Sequence, residues 1–170
     1  MNRLLAKILL PSLFFCAQVY ASNGQIIQPS GNQTMAITAA ELNKIEEAKF
    51  LTANKIKQGV VTLADGLQYK EIVAGNGPIP TVNDTVTVNY AGTLVNGTEF
   101  DSSYKRGEPA TFPVSGVISG WTEALKLMKV GSTWELYIPA KLAYGVRGIP
   151  PAIGPNQMLI FKVQLLGIKR

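Results

Sequence analysis

The side chains that usually carry enzyme chemistry are scarce in this chain. No histidine occurs among its 170 residues, and Cys16 is its single cysteine. A Ser–His–Asp triad, a Cys–His pair and an imidazole proton shuttle are therefore excluded. Zinc, haem and iron–sulfur sites lack their usual ligands, so we expect neither a metal nor another cofactor. Any catalysis must then depend on binding, shape and fixed charges.

Composition narrows the class of protein further. An apolar content of 46% predicts a folded core, and the length fits one domain with an appendage. The formal net charge of +5 is spread along the chain, with no run of Lys or Arg longer than a pair. Nucleic-acid binding usually needs a concentrated basic stripe, so the sequence does not favour it.

The N-terminus has the pattern of a secretory signal. Arg3 and Lys7 precede an apolar stretch over residues 8–19, and Ala21 provides a small side chain for cleavage. We therefore predict that residues 1–21 are a signal peptide and that the protein is exported.

Two alternatives to cleavage fit the N-terminus less well. A retained membrane anchor is disfavoured, because the apolar stretch is short and contains Pro11. Lipid attachment at Cys16 is disfavoured by the bulky Phe15 before it, where such signals have a small residue.

A helix is predicted after a polar, turn-rich linker over residues 22–37. Thr38 can cap it and Glu41, three residues on, completes a capping box. The pattern predicts a helix over 39–58, ended by Gly59. Its apolar residues form no single stripe, which leaves two interpretations open: an arm for dimerisation or spacing, or a helix that lies against its own domain.

Beyond this helix the hydrophobic period changes to two. Val82, Val86, Val88 and Tyr90 share one parity, which predicts a strand. The dipeptide Asn96-Gly97 then predicts a hairpin.

The remaining elements complete the fold class. Alternation over residues 133–138 and an apolar run over 158–168 predict two more strands, and residues 121–129 form the only predicted helix of this region. Because strands and helices do not alternate, we predict an α+β fold: an antiparallel sheet around one short helix, preceded by the N-terminal helix. The predicted division of the chain is a signal peptide (1–21), a flexible linker (22–37), an N-terminal helical arm (38–59) and the main domain (60–170).

Several short motifs in fixed order resemble one family. They are GLQYK (66–70), VNYAG (88–92), GTEFDSS (97–103), VISGW (117–121) and LAYG (142–145). In order and spacing they are similar to the macrolide-binding, FKBP-type peptidyl-prolyl cis–trans isomerases. The upstream helix resembles the Mip-like branch, whose members are exported by Gram-negative bacteria to the periplasm, the outer membrane or the cell surface.

The resemblance implies a proline-binding pocket assembled from distant segments. It implies catalytic roles for Asp101, Tyr144, Ile118 through its backbone N–H, and Tyr90. The implied substrate-binding residues are Phe100, Phe112, Val117, Trp121, Ile153, Phe161 and Arg106. Trp121 would be the floor, and Arg106 would hold the carboxylate of Asp101. Taken singly, such aromatic residues equally fit a hydrophobic core; the agreement of several motifs favours the pocket.

The resemblance also implies function and partners. The expected activity is acceleration of X–Pro bond rotation in exported proteins, and the expected partners are proline-containing polypeptides and macrolides of the tacrolimus and rapamycin class. The main alternative is a proline-binding periplasmic chaperone or host-interaction module with little turnover. Whether the chain forms a homodimer through its N-terminal helix is left open.

Overall fold

The computed structural model describes residues 36–169. The predicted signal peptide 1–21, the lipid-attachment alternative at Cys16 and most of the predicted linker lie outside the described residues. Within 36–169, no helix is both long enough and apolar enough to cross a membrane.

A single antiparallel sheet organises the described part of the chain. Its strands are β1 (Val60–Thr62), β2 (Gln68–Val73), β3 (Thr85–Thr93), β4 (Glu99–Ser102), β5 (Ala110–Pro113), β6 (Thr133–Ile138) and β7 (Leu159–Lys169). The helices are α1 (Ala39–Asn54), α2 (Ser103–Arg106) and α3 (Ser119–Leu125). The strand order is β1-β2-β6-β7-β3-β4, and β5 also pairs with β3. The predicted α+β class, with an antiparallel sheet and a preceding helix, is confirmed.

Helix α1 begins at the predicted capping box. The Thr38 hydroxyl accepts from the Glu41 N–H at 3.2 Å, and the Glu41 carboxylate accepts from the Thr38 N–H at 2.8 Å. The predicted end at residue 58 was wrong, because the helix stops at Asn54. The buried Asn54 amide donates to Gln68 at 3.0 Å, which fixes the chain where it must turn toward β1.

Helix α1 lies against its own domain through a largely polar face. Asn43 donates to the Pro155 carbonyl at 2.8 Å, and Glu47 accepts from the Ala140 N–H at 2.6 Å. The Phe50 ring lies 5.7 Å from that of Tyr137. Polar anchors replace an apolar stripe on this face, which explains why the hydrophobic pattern of the helix was unclear.

The two faces of the sheet have different neighbours. Leu136 and Ile138 of β6 point into the main hydrophobic core, on the side covered by α3. Tyr137, of opposite parity, is buried as well, because α1 packs on the outer face of the sheet. The sheet is thus covered on both sides near this strand.

The predicted boundaries of β3 and α3 were also wrong. Val82 is 44% exposed and precedes β3, in a turn where the Thr81 N–H donates to the Asp84 carboxylate at 2.7 Å. The helix predicted over 121–129 is α3, which starts earlier, at Ser119, and ends at Leu125. The helical α2 was not predicted, because its four residues carry no hydrophobic period.

Candidate active site

An open cavity of about 410 Å³ lies on the α3 side of the sheet. Its walls come from strands, helix α3 and two connecting segments that are distant in the sequence. They are formed by Tyr90, Phe100, Asp101, Phe112, Gly116, Val117, Ile118, Trp121, Tyr144 and Phe161. The structure therefore brings together most of the side chains to which the motifs implied a role.

Trp121 is the centre of the aromatic cluster. Its ring lies nearly perpendicular to three others, with centroid distances of 5.2 Å to Tyr90, 5.2 Å to Phe161 and 6.0 Å to Phe112. Phe100 packs edge-on against Phe161 at 5.5 Å. Edge-to-face contacts of this kind fix ring orientations, so the cavity wall is preformed.

A bulge brings two consecutive residues of β4 to the cavity. Gly92 pairs with Asp101, whereas the next β3 residue, Thr93, pairs with Glu99, so the register shifts between them. Regular alternation would send Phe100 and Asp101 to opposite faces, but both line the cavity. The bulge thus places a carboxylate beside an aromatic wall.

Asp101 is held by two partners at the cavity rim. The Tyr90 hydroxyl donates to its Oδ2, and Arg106 Nη1 donates to its Oδ1. Arg106 Nη2 also donates to the Tyr90 hydroxyl at 2.9 Å, and the guanidinium lies 5.4 Å from the Tyr90 ring centroid. The three side chains therefore form a closed network with a fixed carboxylate.

The charge state of this network follows from its contacts. Burial would raise the pKa of Asp101, but hydrogen bonds from Tyr90 and Arg106, with the Arg106 charge, outweigh it and lower that pKa. Burial first, and then the hydrogen bond to Asp101, raise the pKa of Tyr90. At neutral pH the network holds an ionised carboxylate, a protonated phenol and a guanidinium.

Two further donors face the same cavity. Burial, followed by the Asp101 charge, raises the pKa of Tyr144, so its hydroxyl keeps its proton at neutral pH. Ile118 precedes α3, and its backbone N–H makes no hydrogen bond within residues 36–169. Both groups are available to a bound molecule.

Sequence reasoning missed two residues that shape the site. Ser103 is fully buried, and its hydroxyl accepts from the Tyr90 N–H at 2.8 Å, which ties α2 to β3 beside the cavity. Gly116 lines the cavity directly, just before Val117. Ser103 belongs to the FDSS segment, but only the fold shows where its hydroxyl points.

Two of the implied substrate-binding residues do not line the cavity. Ile153 is 3% exposed and belongs to the hydrophobic core, where its backbone pairs with Ile149. Arg106 contacts Asp101 and Tyr90 from outside the lining. In the structure, then, Ile153 packs into the hydrophobic core, and Arg106 contacts the rim residues Asp101 and Tyr90.

Comparison with known families fits this geometry. A family model described as FKBP-type peptidyl-prolyl cis-trans isomerase matches residues 77–166, which include every residue of the cavity wall. A second, described as the domain amino terminal to FKBP-type peptidyl-prolyl isomerase, matches residues 20–70.

The chain belongs to the FKBP-type peptidyl-prolyl cis-trans isomerase family. Similar proteins include the peptidyl-prolyl cis-trans isomerase Mip of Coxiella burnetii, 62% identical over 75% of this chain, and the outer membrane protein MIP of Legionella longbeachae, 59% identical over 77%. The chain spans 56% of the length of each of these relatives. The predicted resemblance to the Mip-like branch is confirmed.

Solved structures of similar proteins share the fold. FkpA from Escherichia coli superposes with a TM-score of 0.74 at 47% identity, over 76% of this chain and 61% of that one. A peptidyl-prolyl cis-trans isomerase from Pseudomonas syringae pv. tomato gives 0.73 at 38% identity, over 79% of this chain and 99% of that one.

Within residues 36–169, acidic and cysteine side chains do not gather in groups of three that could hold a metal ion. The cavity wall itself offers one carboxylate, that of Asp101, and it already has two hydrogen-bonding partners.

Proposed function

We propose that the protein is a peptidyl-prolyl cis–trans isomerase that accelerates X–Pro bond rotation in exported proteins. The observation that carries the proposal is the cavity itself: an aromatic hollow with a buried indole at its base and a fixed, ionised carboxylate at its rim. Its volume of about 410 Å³ suits a proline ring with its flanking peptide groups.

The proposed reaction needs no bond to form or break. Rotation about a peptide bond is opposed by ~18–20 kcal/mol of barrier, which originates in amide resonance. At X–Pro both planar isomers are populated and exchange over roughly tens to hundreds of seconds. An enzyme lowers this barrier by binding the twisted amide more tightly than either planar form, which requires neither histidine nor metal.

The aromatic wall holds the ring and excludes water from the amide. The rings of Phe112, Trp121 and Phe161 bury a pyrrolidine by apolar contact, so the ring stays fixed while the preceding carbonyl rotates. Water bonded to that carbonyl favours the charge-separated planar form. Removing it weakens the resonance and therefore the barrier.

The rim supplies fixed polar groups for the twisted state. The hydroxyl of Tyr144 and the N–H of Ile118 donate to substrate carbonyls, and Asp101 acts electrostatically on the rotating amide. Tyr90 and Arg106 hold Asp101 before substrate arrives, so its orientation costs nothing during rotation.

A peptide assay tests these assignments. We expect the full chain to accelerate isomerisation of an Ala-Leu-Pro-Phe peptide, and Tyr144→Phe and Asp101→Asn each to lower kcat/KM at least tenfold, which corresponds to ~1.4 kcal/mol of transition-state stabilisation. Tyr104→Phe is the matched control, because Tyr104 is 49% exposed and outside the cavity wall. If both variants retained full activity, the roles assigned to Tyr144 and Asp101 would be wrong.

A chaperone that only binds proline segments makes a different prediction. In that case the wild type and the Asp101→Asn variant would suppress the aggregation of an unfolding client equally well. The wild type would also leave the isomerisation of the peptide at its uncatalysed rate. Acceleration by the wild type, lost in Asp101→Asn, supports the enzyme instead.

We further propose that the protein is exported and that residues 1–21 are its signal peptide. The similarity to a relative named an outer membrane protein supports export. N-terminal sequencing of protein recovered from a Gram-negative host should begin at Ser22, whereas a chain that starts at Met1 in the cytoplasmic fraction would refute it. We propose that the chain consists of this signal peptide (1–21), a flexible linker (22–37), an N-terminal helical arm (38–59) and an isomerase domain (60–170).

We also propose macrolides of the tacrolimus and rapamycin class as ligands of this cavity.

Homodimerisation through α1 would have to use the face opposite its domain contacts, where Leu42 and Ile45 are 48% and 57% exposed. Light scattering of the purified chain, with Leu42→Glu as the comparison, separates a dimer of this kind from a single subunit.

A further inference from the structure

Helix α1 touches the segment that carries Tyr144 over the cavity. This segment, residues 139–158, connects β6 to β7 and contains a short 3₁₀ turn at Ala140–Leu142. Its Tyr144 lies on the cavity wall, whereas α1 lies on the outer side of the sheet. No residue of α1 lines the cavity, so any contact between α1 and this segment connects the helix to the cavity indirectly.

Both ends of the segment are hydrogen-bonded to one face of α1. At its start, the Ala140 N–H donates to the Glu47 carboxylate at 2.6 Å. At its end, the Pro155 carbonyl accepts from Asn43 at 2.8 Å, and the Asn156 side chain donates to the Ala40 carbonyl at 3.2 Å. Positions 40, 43 and 47 repeat at helical spacing, so the contacts form one stripe along α1.

The anchored residues lead directly to Tyr144. The Gly145 N–H donates to the Ala140 carbonyl at 2.8 Å, and the Asn156 N–H donates to the Gly145 carbonyl at 2.8 Å. The residue next to Tyr144 is therefore bonded to both points that α1 holds. On the cavity side, the Ser119 hydroxyl donates to the Leu142 carbonyl at 3.2 Å, which ties the same segment to α3.

We propose that α1 is a positioning element of the active site, in which Glu47 and Asn43 hold residues 139–158 so that the Tyr144 hydroxyl faces the bound prolyl peptide. This inference rests on the proposed isomerase function. Glu47 and Asn43 touch no substrate; they act through the backbone at Ala140, Pro155 and Gly145. Movement of α1 away from its domain would then lower isomerase activity without any change in the aromatic wall.

The test compares variants of the full chain. We expect Glu47→Ala and Asn43→Ala each to lower kcat/KM by about threefold to tenfold, the range expected for coupling through a packed element. Glu47→Gln keeps an acceptor oxygen for the Ala140 N–H and should recover most of the loss. Glu46→Ala, an exposed neighbour with no hydrogen bond among the described contacts, should leave activity unchanged.

A double-mutant cycle separates positioning from general loss of stability. If Glu47 acts through Tyr144, Glu47→Ala should have almost no further effect in the Tyr144→Phe background. Additive losses in the double variant, or full activity of both Glu47→Ala and Asn43→Ala, would overturn the inference while the proposed function stands.

Hydrogen exchange gives a readout that does not depend on activity. Glu47→Ala should speed exchange of the Gly145 and Asn156 amides relative to Glu46→Ala, and unchanged exchange would overturn the inference. An inactive wild type whose amides respond in this way would instead refute the proposed function and leave the mechanical connection standing.

Discussion

Asp101 shows how one side chain acquires its properties from its neighbours. Its carboxylate lies at the rim of the aromatic cavity, where partial burial disfavours the charge, yet Tyr90 and Arg106 keep it ionised by hydrogen bonds and by the Arg106 charge. A carboxylate that is held in place in this way does not have to reorient when it acts on a bound group. The pocket therefore depends on the Tyr90–Asp101–Arg106 network as a unit.

Position 92 beside the pocket cannot accommodate any side chain, and glycine occupies it. A Cβ at this position would lie 2.6 Å from Phe161 Cε1 and 2.7 Å from Phe100 Cζ. We expect Gly92→Ala to reduce the free energy of unfolding by about 1–3 kcal/mol, because the two rings must move apart, and to lower isomerase activity with it. Urea denaturation and the peptide assay measure both effects.

Gly167→Ala is the control for this substitution. Gly167 lies in β7, where an added Cβ would meet no atom within 4 Å. Its replacement should change the free energy of unfolding by no more than about 0.5 kcal/mol. If the two substitutions had equal effects on stability, the rings of Phe100 and Phe161 would not be the reason that position 92 needs glycine.

At this scale the motifs predict which residues meet, and the fold decides how. Phe100 and Asp101 are neighbours that alternation would separate, and only the bulge opposite Gly92 and Thr93 turns both to the cavity. The family resemblance implies a pocket role for Ile153, but sequence similarity carries no information about which side of the loop a residue faces. Its backbone pairing with Ile149 turns it into the core.

At the scale of elements, the interrupted edge of the sheet builds the rim. β4 and β5 pair with successive halves of β3, and α2 lies between them. The interruption projects Arg106 at the end of α2 toward Asp101, and Gly107, with φ of +78°, reverses the chain directly afterwards. A continuous strand would present neither the guanidinium nor this turn.

Helix α3 is linked to the β1–β2 turn by a pair of carboxyl groups. The hydrogen bond with Asp65, followed by burial, raises the pKa of Glu123 to about 7, while nearby Lys126 opposes the rise. Asp65 has its pKa lowered by the same hydrogen bond, with support from Lys141. The pair therefore shares one proton at mildly acidic pH.

This pair predicts a pH dependence of stability. Glu123 binds its proton more tightly in the folded chain than in the unfolded one, so its contribution is present at low pH and is lost as pH rises through about 7. Glu123→Gln keeps a donor at every pH. We expect the stability of this variant relative to the wild type to be higher at pH 8 than at pH 5, measured by urea denaturation.

The lowered pKa of Asp65 keeps that group ionised across this window, so the change is assigned to Glu123. Glu108→Gln, at an exposed position, is the matched control. The same stability difference between Glu123→Gln and wild type at pH 5 and pH 8 would contradict the shared proton.

The capping box at the start of α1 makes a second prediction for an element. Thr38→Ala removes the acceptor for the Glu41 N–H and should cost about 1 kcal/mol of stability, with faster hydrogen exchange in the first turn. Thr52→Ala, at an exposed position inside the same helix, should cost nothing, because Ala is the better helix former. If the two variants were equally stable, the cap would not contribute.

The element boundaries show where sequence reasoning reaches its limit. The start of α1 was predictable, since Thr38 and Glu41 satisfy each other locally. Its docking was not, because Asn43, Glu47 and Asn54 bind partners such as Ala140 that are distant in the sequence. Hydrophobic periodicity predicts apolar contacts, but it carries no information about polar contacts.

At the scale of the whole molecule, the fold supplies the chemistry that the composition lacks. A chain without histidine forms a site from aromatic rings, backbone and hydroxyl donors and one carboxylate. The sheet carries Tyr90, Phe100 and Phe161 from three of its strands, and α3 places Trp121 beneath them. Rigid elements on both faces of the sheet keep this arrangement preformed, as the proposed binding of a twisted amide requires.

The most direct test of this account is the exchange rate of a proline peptide between its cis and trans forms, measured by NMR with the full chain and with increasing tacrolimus. We expect the rate to rise in proportion to protein concentration and to return to the uncatalysed value once one macrolide is present per chain. An uncatalysed rate at every protein concentration, or an acceleration that saturating macrolide leaves unchanged, would contradict catalysis in the Trp121 cavity.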